Sequence, residues 1–267
     1  MNLQVRVLGC GSSGGVPRLG GSDGAGYWGA CDPKNPKNRR RRCSLLVRSE
    51  SGQILVDASP DLREQLLEAR VADLAGILLT HDHADQFHGI DDVRVLTLIN
   101  KRRIDLWSDA RGLGGARAKF AYCFETPPGS DYPPILNARE ITEPFREFSI
   151  AGIPVLAFGV GHGRIRSLGF RFGPVAYSPD VDQLDEGAFA ALAGVECWIV
   201  DALRYTPHPS HAHLARTLEW IARVKPRRAI LTNMHVDLDY ETLRRDLPPG
   251  VEPAHDGMEL EFQARRL

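Results

Sequence analysis

Cysteine is scarce in this sequence: five cysteines occur among 267 residues, they are widely spaced, and no Cys-x-x-Cys pair is present. An odd, dispersed set of this kind argues against a secreted protein held by disulfides and predicts a reduced, cytoplasmic protein. The chain also lacks any apolar run near the roughly 20 residues that span a bilayer, so no membrane-spanning segment is expected. The net charge is −1, which argues against a strongly basic nucleic-acid-binding protein.

Histidine is absent from the first 80 residues, although the chain has nine histidines in all. They lie in or beside segments that we predict to be loops at strand ends. Short apolar runs predict many strands in the first third of the chain, and strands alternate with helical patterns later. This order predicts an α/β sandwich of two sheets with helices outside. No long linker divides the chain, so residues 1–267 are expected to form one domain.

A histidine-rich motif follows the apolar strand predicted for residues 76–80. It reads His81-Asp82-His83-Ala84-Asp85. Two histidines two positions apart, where the chain curls away from a strand, can direct both imidazoles toward one point, and Asp85 adds an oxygen ligand. This combination suits zinc, iron or manganese. A solvated acidic turn is the alternative for an isolated His-x-His, but the full motif after a buried strand favours a metal site.

Three further predicted strands end in a residue of a metal-ligating type. These residues are His162, Asp180 and His235. Each one alone is commonly an ordinary turn or capping residue. Four strand ends that carry ligand types in this order nevertheless predict a metal centre assembled from distant parts of the chain.

The order His-x-His-x-Asp, a lone histidine, a strand-end aspartate and a late histidine resembles the signature of the metallo-β-lactamase superfamily. Within it, the chain is most similar to phosphoribosyl 1,2-cyclic phosphate phosphodiesterases of the carbon–phosphorus lyase pathway, and more distantly to ribonuclease Z. The resemblance covers nearly the whole chain and includes residues 8–17, 55–58, 210–214 and 256–259. It implies an αββα sandwich, in which two mixed β-sheets carry helices on their outer faces.

The resemblance also implies roles for individual residues. His81, His83 and His162 would bind a first divalent metal ion, Asp180 would bridge it to a second ion, and Asp85 would bind that second ion. Zinc and manganese are the expected metals.

Three other residues or pairs receive expected roles. His211 falls where the phosphodiesterase family has a histidine that assists phosphate chemistry, and His235 is implied as a further metal ligand. Asp57 and Asp201 each end an apolar strand, and they are expected either to orient metal-bound imidazoles or simply to cap buried strands.

Two departures from the family pattern concern the second metal ion. Gln86 stands where the family has a histidine, and glutamine is a poor zinc ligand. The late segment Thr232-Asn233-Met234-His235 displaces its final histidine by one position. His88 would point the same way as Asp85 if a helix begins there. The sequence therefore leaves open whether one or two ions bind.

The densest basic segment contains Lys34, Lys37 and the four arginines at 39–42. It predicts either a solvated loop or a cationic rim that attracts a phosphate-bearing substrate. Nucleic acid is an alternative partner, but the basic segment is short and the net charge of the protein is slightly negative, and both argue against it. Cys31 stands alone in this region, so no structural zinc is expected there and a small buried hydrophobe is predicted.

These observations predict a metal-dependent hydrolase. Its expected activity is that of a phosphodiesterase that cleaves a small cyclic phosphate or nucleotide-like ester with metal-bound hydroxide, with Asp180 and His211 as catalytic residues. The alternatives are a thioesterase or lactonase on the same scaffold and a degenerate, non-catalytic binding protein. The expected partner is a small phosphorylated substrate, and the resemblance implies a homodimer.

Overall fold

A computed structural model describes residues 2–263. The strands are β1 (Asn2–Gly9), β2 (Ser44–Ser49), β3 (Gly52–Val56), β4 (Gly76–Leu78), β5 (Ile104–Ser108), β6 (Leu136–Glu140), β7 (Phe148–Ile150), β8 (Ile153–His162), β9 (Ile165–Phe172), β10 (Val175–Ser178), β11 (Cys197–Asp201), β12 (Arg228–Thr232), β13 (Val251–Pro253) and β14 (Glu259–Gln263). The α-helices are α1 (Leu62–Glu68), α2 (Ala84–Phe87), α3 (Arg94–Asn100), α4 (Ala110–Lys119), α5 (Ala121–Phe124), α6 (Glu186–Leu192), α7 (Leu214–Val224) and α8 (Tyr240–Asp246). Short 3₁₀ helices cover Pro36–Asn38 and Ile90–Val93.

The strands form two seven-stranded sheets. The first has the order β14-β1-β2-β3-β4-β5-β6 and the second the order β13-β12-β11-β10-β9-β8-β7. Both sheets are mixed: β3 to β6 pair in parallel in the first, and β10 to β13 do so in the second. Their remaining neighbours pair antiparallel. The predicted sandwich of two mixed sheets is therefore confirmed.

Alternation of side chains along the strands of the first sheet separates two apolar layers. In β3, Ile54 and Val56 face the core shared by both sheets, whereas Leu55 faces the layer under α1, α3 and α4. Successive strand residues point to opposite faces of a sheet, so a continuous apolar run fills both layers at once. The layer order is helices, sheet, sheet, helices.

On the second sheet, α6, α7 and α8 form the outer layer. Leu192, Trp220 and Leu243 belong to the same buried cluster as the strands beneath them. Helix α7 ends at Val224, and the next residue, Lys225, takes the left-handed conformation with φ 55°. Within residues 2–263, no helix is both long enough and apolar enough to cross a membrane.

Candidate metal centre

The predicted ligands meet at one end of the sandwich, where strands from both sheets terminate. His81 and His83 follow β4 in the first sheet, His162 is the last residue of β8, and Asp180 follows β10 in the second sheet. Strands β8 and β10 run in the same direction because each pairs antiparallel with β9. Their carboxyl ends therefore lie at the same edge and bring residues distant in the chain together.

His81, His83 and His162 form a compact cluster. One ligand nitrogen from each lies within 4.8 Å of the others, and the ring centroids are 4.4 to 5.1 Å apart. His81 and His162 are buried, whereas His83 is exposed at the open side of the cluster. Three imidazoles with one open side match the ligand set of catalytic zinc sites.

Hydrogen bonds fix which nitrogens of these rings face inward. Nδ1 of His81 lies 3.1 Å from the Thr80 hydroxyl and 3.3 Å from the Ser167 hydroxyl. Nδ1 of His162 donates to the Ser210 carbonyl oxygen at 2.6 Å. With a proton on each Nδ1, the Nε2 atoms of both rings keep lone pairs that point into the cluster.

The cluster fits a cation on the evidence of one unsatisfied atom at its centre. Among the described residues, the buried Nε2 of His81 has no hydrogen-bond partner, and the nearby Nε2 of His162 and Nδ1 of His83 lie 3.3 Å apart in a hydrogen bond. A cation between these nitrogens would satisfy the buried lone pair of His81. Burial and the neighbouring histidines hold the pKa of His81 well below its usual range, and burial lowers that of His162 to about 4. Both rings are therefore neutral, the form that binds metal.

Residues behind the cluster hold the imidazoles in place. The Thr80 hydroxyl lies 3.0 Å from Oδ1 of Asp57, and the Thr80 backbone N–H donates to the same oxygen at 2.8 Å. Asp57 thus acts on His81 through Thr80. Next to His162, Gly163 has φ 61°. A side chain at this position would clash with Ser210, because its Cβ would lie 2.8 Å from Cβ of Ser210. The glycine therefore allows the Ser210 carbonyl to approach His162.

A second group of ligand-type atoms adjoins the first and shares His162 with it. It consists of His162, Asp180 and His211. Nδ1 of His211 lies 2.9 Å from Oδ2 of Asp201 and 3.6 Å from Oδ1 of Asp180. Burial opposes a charge on this imidazole, but Asp201 and Asp180 raise the pKa of His211 to about 9. Burial in turn raises the pKa of Asp180 and Asp201, and His211 lowers both.

Two side-chain amides surround Asp180, and neither was predicted as a contact of that residue. Nε2 of Gln86 donates to Oδ2 of Asp180 at 2.9 Å, and Nδ2 of Asn233 lies 3.5 Å from its Oδ1. Asn233 follows β12 directly and also lies 3.3 Å from Asp201. The position of Asn233 directly after a strand could have marked it as a residue of the site. The sequence interpretation instead assigned the ligand role in this segment to His235.

The remaining predicted ligands lie outside both groups. Asp85 is half-buried, with Oδ2 3.4 Å from Nε2 of Gln86. His235 is held elsewhere: Nη1 of Arg18 donates to its Nε2 at 2.8 Å, and its Nδ1 lies 3.1 Å from Asp237. A guanidinium can only donate, so Nε2 of His235 accepts from Arg18, whereas the buried Nδ1 has no hydrogen-bond partner among the described residues.

His88 does not join the site. It is exposed at the C-terminus of α2, and its ring packs edge-on against Phe120 with centroids 5.5 Å apart. The helix that was expected to align His88 with Asp85 is a single turn, and His88 ends it.

Most of the basic segment is tied into the fold rather than free at a rim. Arg40 is buried and donates to the Leu238 carbonyl oxygen at 2.7 Å. Arg41 pairs with Asp256 at 3.0 Å and Arg42 with Asp61 at 3.0 Å. The two lysines and Arg39 retain the exposed or half-buried positions that a solvated loop predicts. Cys31 is buried as expected, and all five cysteines are free.

Two mixed sheets with a histidine cluster at their strand ends give the fold of a metallo-β-lactamase-type hydrolase, with three imidazoles placed so that they could hold a metal ion. The chain belongs to the metallo-β-lactamase superfamily: the family described as "Beta-lactamase superfamily domain" matches residues 53–234.

Solved structures share the fold over nearly the whole chain. A diphosphatase from the PhnP family is 30% identical, with a TM-score of 0.88, and the match covers 99% of this chain and 98% of that one. Zn²⁺-bound PqqB from Methylobacterium extorquens is 18% identical, with a TM-score of 0.69 and coverage of 96% and 99%. The first match relates the chain to the PhnP family, and the second shows the fold alone.

A curated relative from Porphyromonas gingivalis is named an octanoyltransferase. It is 31% identical over 263 residues, which make up 96% of this chain. The chain spans about half the length of that relative, 51% of it. That name therefore belongs to a protein about twice as long as the matched part.

Proposed function

We propose that this protein is a metal-dependent phosphodiesterase that acts on a small phosphorylated substrate. The observation that carries the proposal is the convergence of three imidazoles beside the His211–Asp201 pair, with the buried Nε2 of His81 left without a hydrogen-bond partner among the described residues. The 30% identity to a PhnP-family diphosphatase supports phosphorus ester chemistry over other hydrolytic chemistry.

His81, His83 and His162 would hold a divalent cation, with zinc or manganese as candidates. Such an ion lowers the pKa of water from 15.7 toward about 7 and so supplies hydroxide at neutral pH. Side chains of the protein would bind the substrate and supply the proton for the leaving group. Because His83 is exposed, a substrate can reach the cluster from that side.

His211 is the proposed general acid. Its Nδ1 is engaged by Asp201, which leaves Nε2 free to face a substrate, and the side chain remains 16% exposed. When hydroxide displaces the leaving oxygen from phosphorus, His211 would deliver a proton to that oxygen as the ester P–O bond breaks. Asp201 orients the ring and stabilises its charged form, and Asp180 lies on the other side of the same nitrogen.

A substrate panel tests the proposal against acyl chemistry, which the name of the curated relative favours. Purified protein supplied with Zn²⁺ or Mn²⁺ is offered bis(p-nitrophenyl) phosphate, a ribose cyclic phosphate, an octanoyl thioester and a lactone. We expect turnover of the phosphodiesters, and its loss in His81→Ala. Turnover of the thioester or lactone without phosphodiester cleavage would assign the site to the alternative hydrolases. No turnover of any substrate, with bound metal present, would favour a binding protein.

A further inference from the structure

The two adjoining groups of ligand-type atoms raise the question of how many ions the site holds. The first group is His81, His83 and His162, and the second is His162, Asp180 and His211. The first presents a buried ring nitrogen with no partner among the described residues. The second group differs, because its carboxylate, Asp180, already accepts hydrogen bonds from neighbouring side chains.

Gln86 supplies one of these donors. Its side chain is fully buried, and Nε2 lies 2.9 Å from Oδ2 of Asp180. Turning the amide over would set Oε1 against that oxygen, and two acceptors at this distance repel, so the contact with Asp180 assigns Nε2 to this position. The other amide atom, Oε1, is buried without a hydrogen-bond partner among the described residues.

The other oxygen of Asp180, Oδ1, faces the side chains of Asn233 and His211. Nδ2 of Asn233 lies 3.5 Å from Oδ1 of Asp180 and 3.0 Å from Nδ1 of His211. Nδ1 of His211 is itself 2.9 Å from Asp201. Oδ2 of Asp180 thus accepts a short hydrogen bond from Gln86, and Oδ1 has longer contacts, 3.5 Å to Asn233 and 3.6 Å to His211, so donors of the protein itself surround this buried carboxylate.

We propose that the protein binds a single divalent ion, at His81, His83 and His162, and that the Gln86 amide holds Asp180 in place of a second ion. The inference deepens the proposed function, on whose metal site it rests. Gln86 is a positioning residue in this arrangement: it fixes the Asp180 carboxylate, which in turn lies beside His211. We therefore expect a hydrolase with one metal ion, in which a side chain rather than a second ion stabilises the leaving oxygen.

Calorimetric titration of metal-free protein with Zn²⁺ alone measures the number of sites directly, and metal analysis after dialysis checks it. We expect one tightly bound equivalent for the wild type. Gln86→His replaces the amide with an imidazole that can ligate, and we expect the stoichiometry to rise from one toward two. The matched control is Gln86→Leu, which removes the amide without adding a ligand and is expected to stay at one.

Two equivalents in the wild type would overturn the inference, as would a folded Gln86→His variant that still binds one. The wild-type stoichiometry stands as a test by itself if that variant does not fold. The proposed function is tested separately. One bound equivalent of Zn²⁺ without phosphodiester cleavage would support the single-ion inference and contradict the phosphodiesterase activity. No bound Zn²⁺ would contradict both the inference and the proposed function.

Discussion

At the scale of single residues, the site depends on two non-glycine residues with left-handed backbone. Asp57 has φ 63° and Asn233 has φ 58°. Each directly follows a buried strand, β3 and β12 respectively. Asp and Asn tolerate this conformation better than most residues. The sharp change of direction turns both side chains toward the centre, where Asp57 contacts Thr80 and Asn233 contacts Asp180.

Thr80 links Asp57 to His81, and its hydroxyl is predicted to matter for metal affinity. Thr80→Val keeps the shape of the side chain and removes the group that lies 3.1 Å from Nδ1 of His81. Loss of such a supporting hydrogen bond typically weakens metal binding by about 10- to 100-fold. Competition with a chromophoric chelator measures this effect. The control is Thr97→Val, because the buried hydroxyl of Thr97 donates to the carbonyl oxygen of Val93, the residue before α3; an equal loss there would contradict the assignment.

His211 is predicted to act on the substrate without being required for metal binding. His211→Ala removes the proton donor, so we expect kcat for a phosphodiester with a poor leaving group to fall by about 10²- to 10⁴-fold. Metal content should remain at the wild-type value. His213→Ala, two residues further at the N-terminus of α7, is expected to leave kcat unchanged. A His211→Ala variant that loses its metal would instead identify His211 as a ligand.

At the scale of elements, helix-capping side chains and a buried arginine hold the loops around the site in place. Asp239 caps α8: Oδ1 accepts from the Thr242 N–H at 2.9 Å, and Oδ2 accepts from the Asn38 side-chain amide at 2.7 Å. One carboxylate thus joins the start of α8 to the basic segment near Asn38. The contact fixes the chain that follows His235.

Burial opposes the charge on Asp239, but the donors from Thr242, Asn38 and Asp32 lower its pKa below the ordinary value. A lowered pKa in the folded state means that the stabilisation is present above the unfolded pKa of about 3.9. It is lost as the pH falls through the folded value. Asp239→Ala should therefore cost about 1 kcal/mol near neutral pH. Thermal melts of both proteins from pH 7 to pH 3 should show the Tm difference shrinking below about pH 4; a constant difference would contradict the linkage.

Arg40 holds the basic segment against the chain that leaves β12. Its Nη2 donates to the Leu238 carbonyl oxygen at 2.7 Å and its Nη1 to that of His235 at 3.3 Å. Arg40→Met leaves both buried acceptors without this donor, and we expect the free energy of unfolding to fall by about 2–3 kcal/mol. Urea denaturation measures the change. Arg39→Met, at an exposed position stacked on Trp28, should stay within about 0.5 kcal/mol of the wild type.

At the scale of the whole molecule, the fold and the first group of ligands followed from local patterns. A buried strand before His81 and another that ends at His162 could be identified from apolar runs alone. Each run predicted where the chain would turn out of a sheet, and family resemblance supplied how the sheets stack. The structure confirms the sandwich and brings His81, His83 and His162 within 4.8 Å.

The surroundings of Asp180 could not be predicted in the same way, because they depend on contacts between distant loops. His235 was favoured as a ligand for its residue type, yet Arg18, 217 positions away in sequence, takes up its Nε2. Gln86 was counted as a missing ligand, whereas the structure shows it donating to a carboxylate 94 positions away. The arginines at 40–42 suggested a cationic rim, but their acidic and carbonyl partners come from other segments.

Anomalous diffraction at the zinc absorption edge, from crystals grown with Zn²⁺, tests the central claim most directly. The account predicts one peak enclosed by Nε2 of His81, Nδ1 of His83 and Nε2 of His162, at about 2.0–2.1 Å from each nitrogen. It predicts no peak between Asp180 and His211. Absence of a peak among the three imidazoles, with zinc present in the crystal, would contradict the claim that they bind a metal ion.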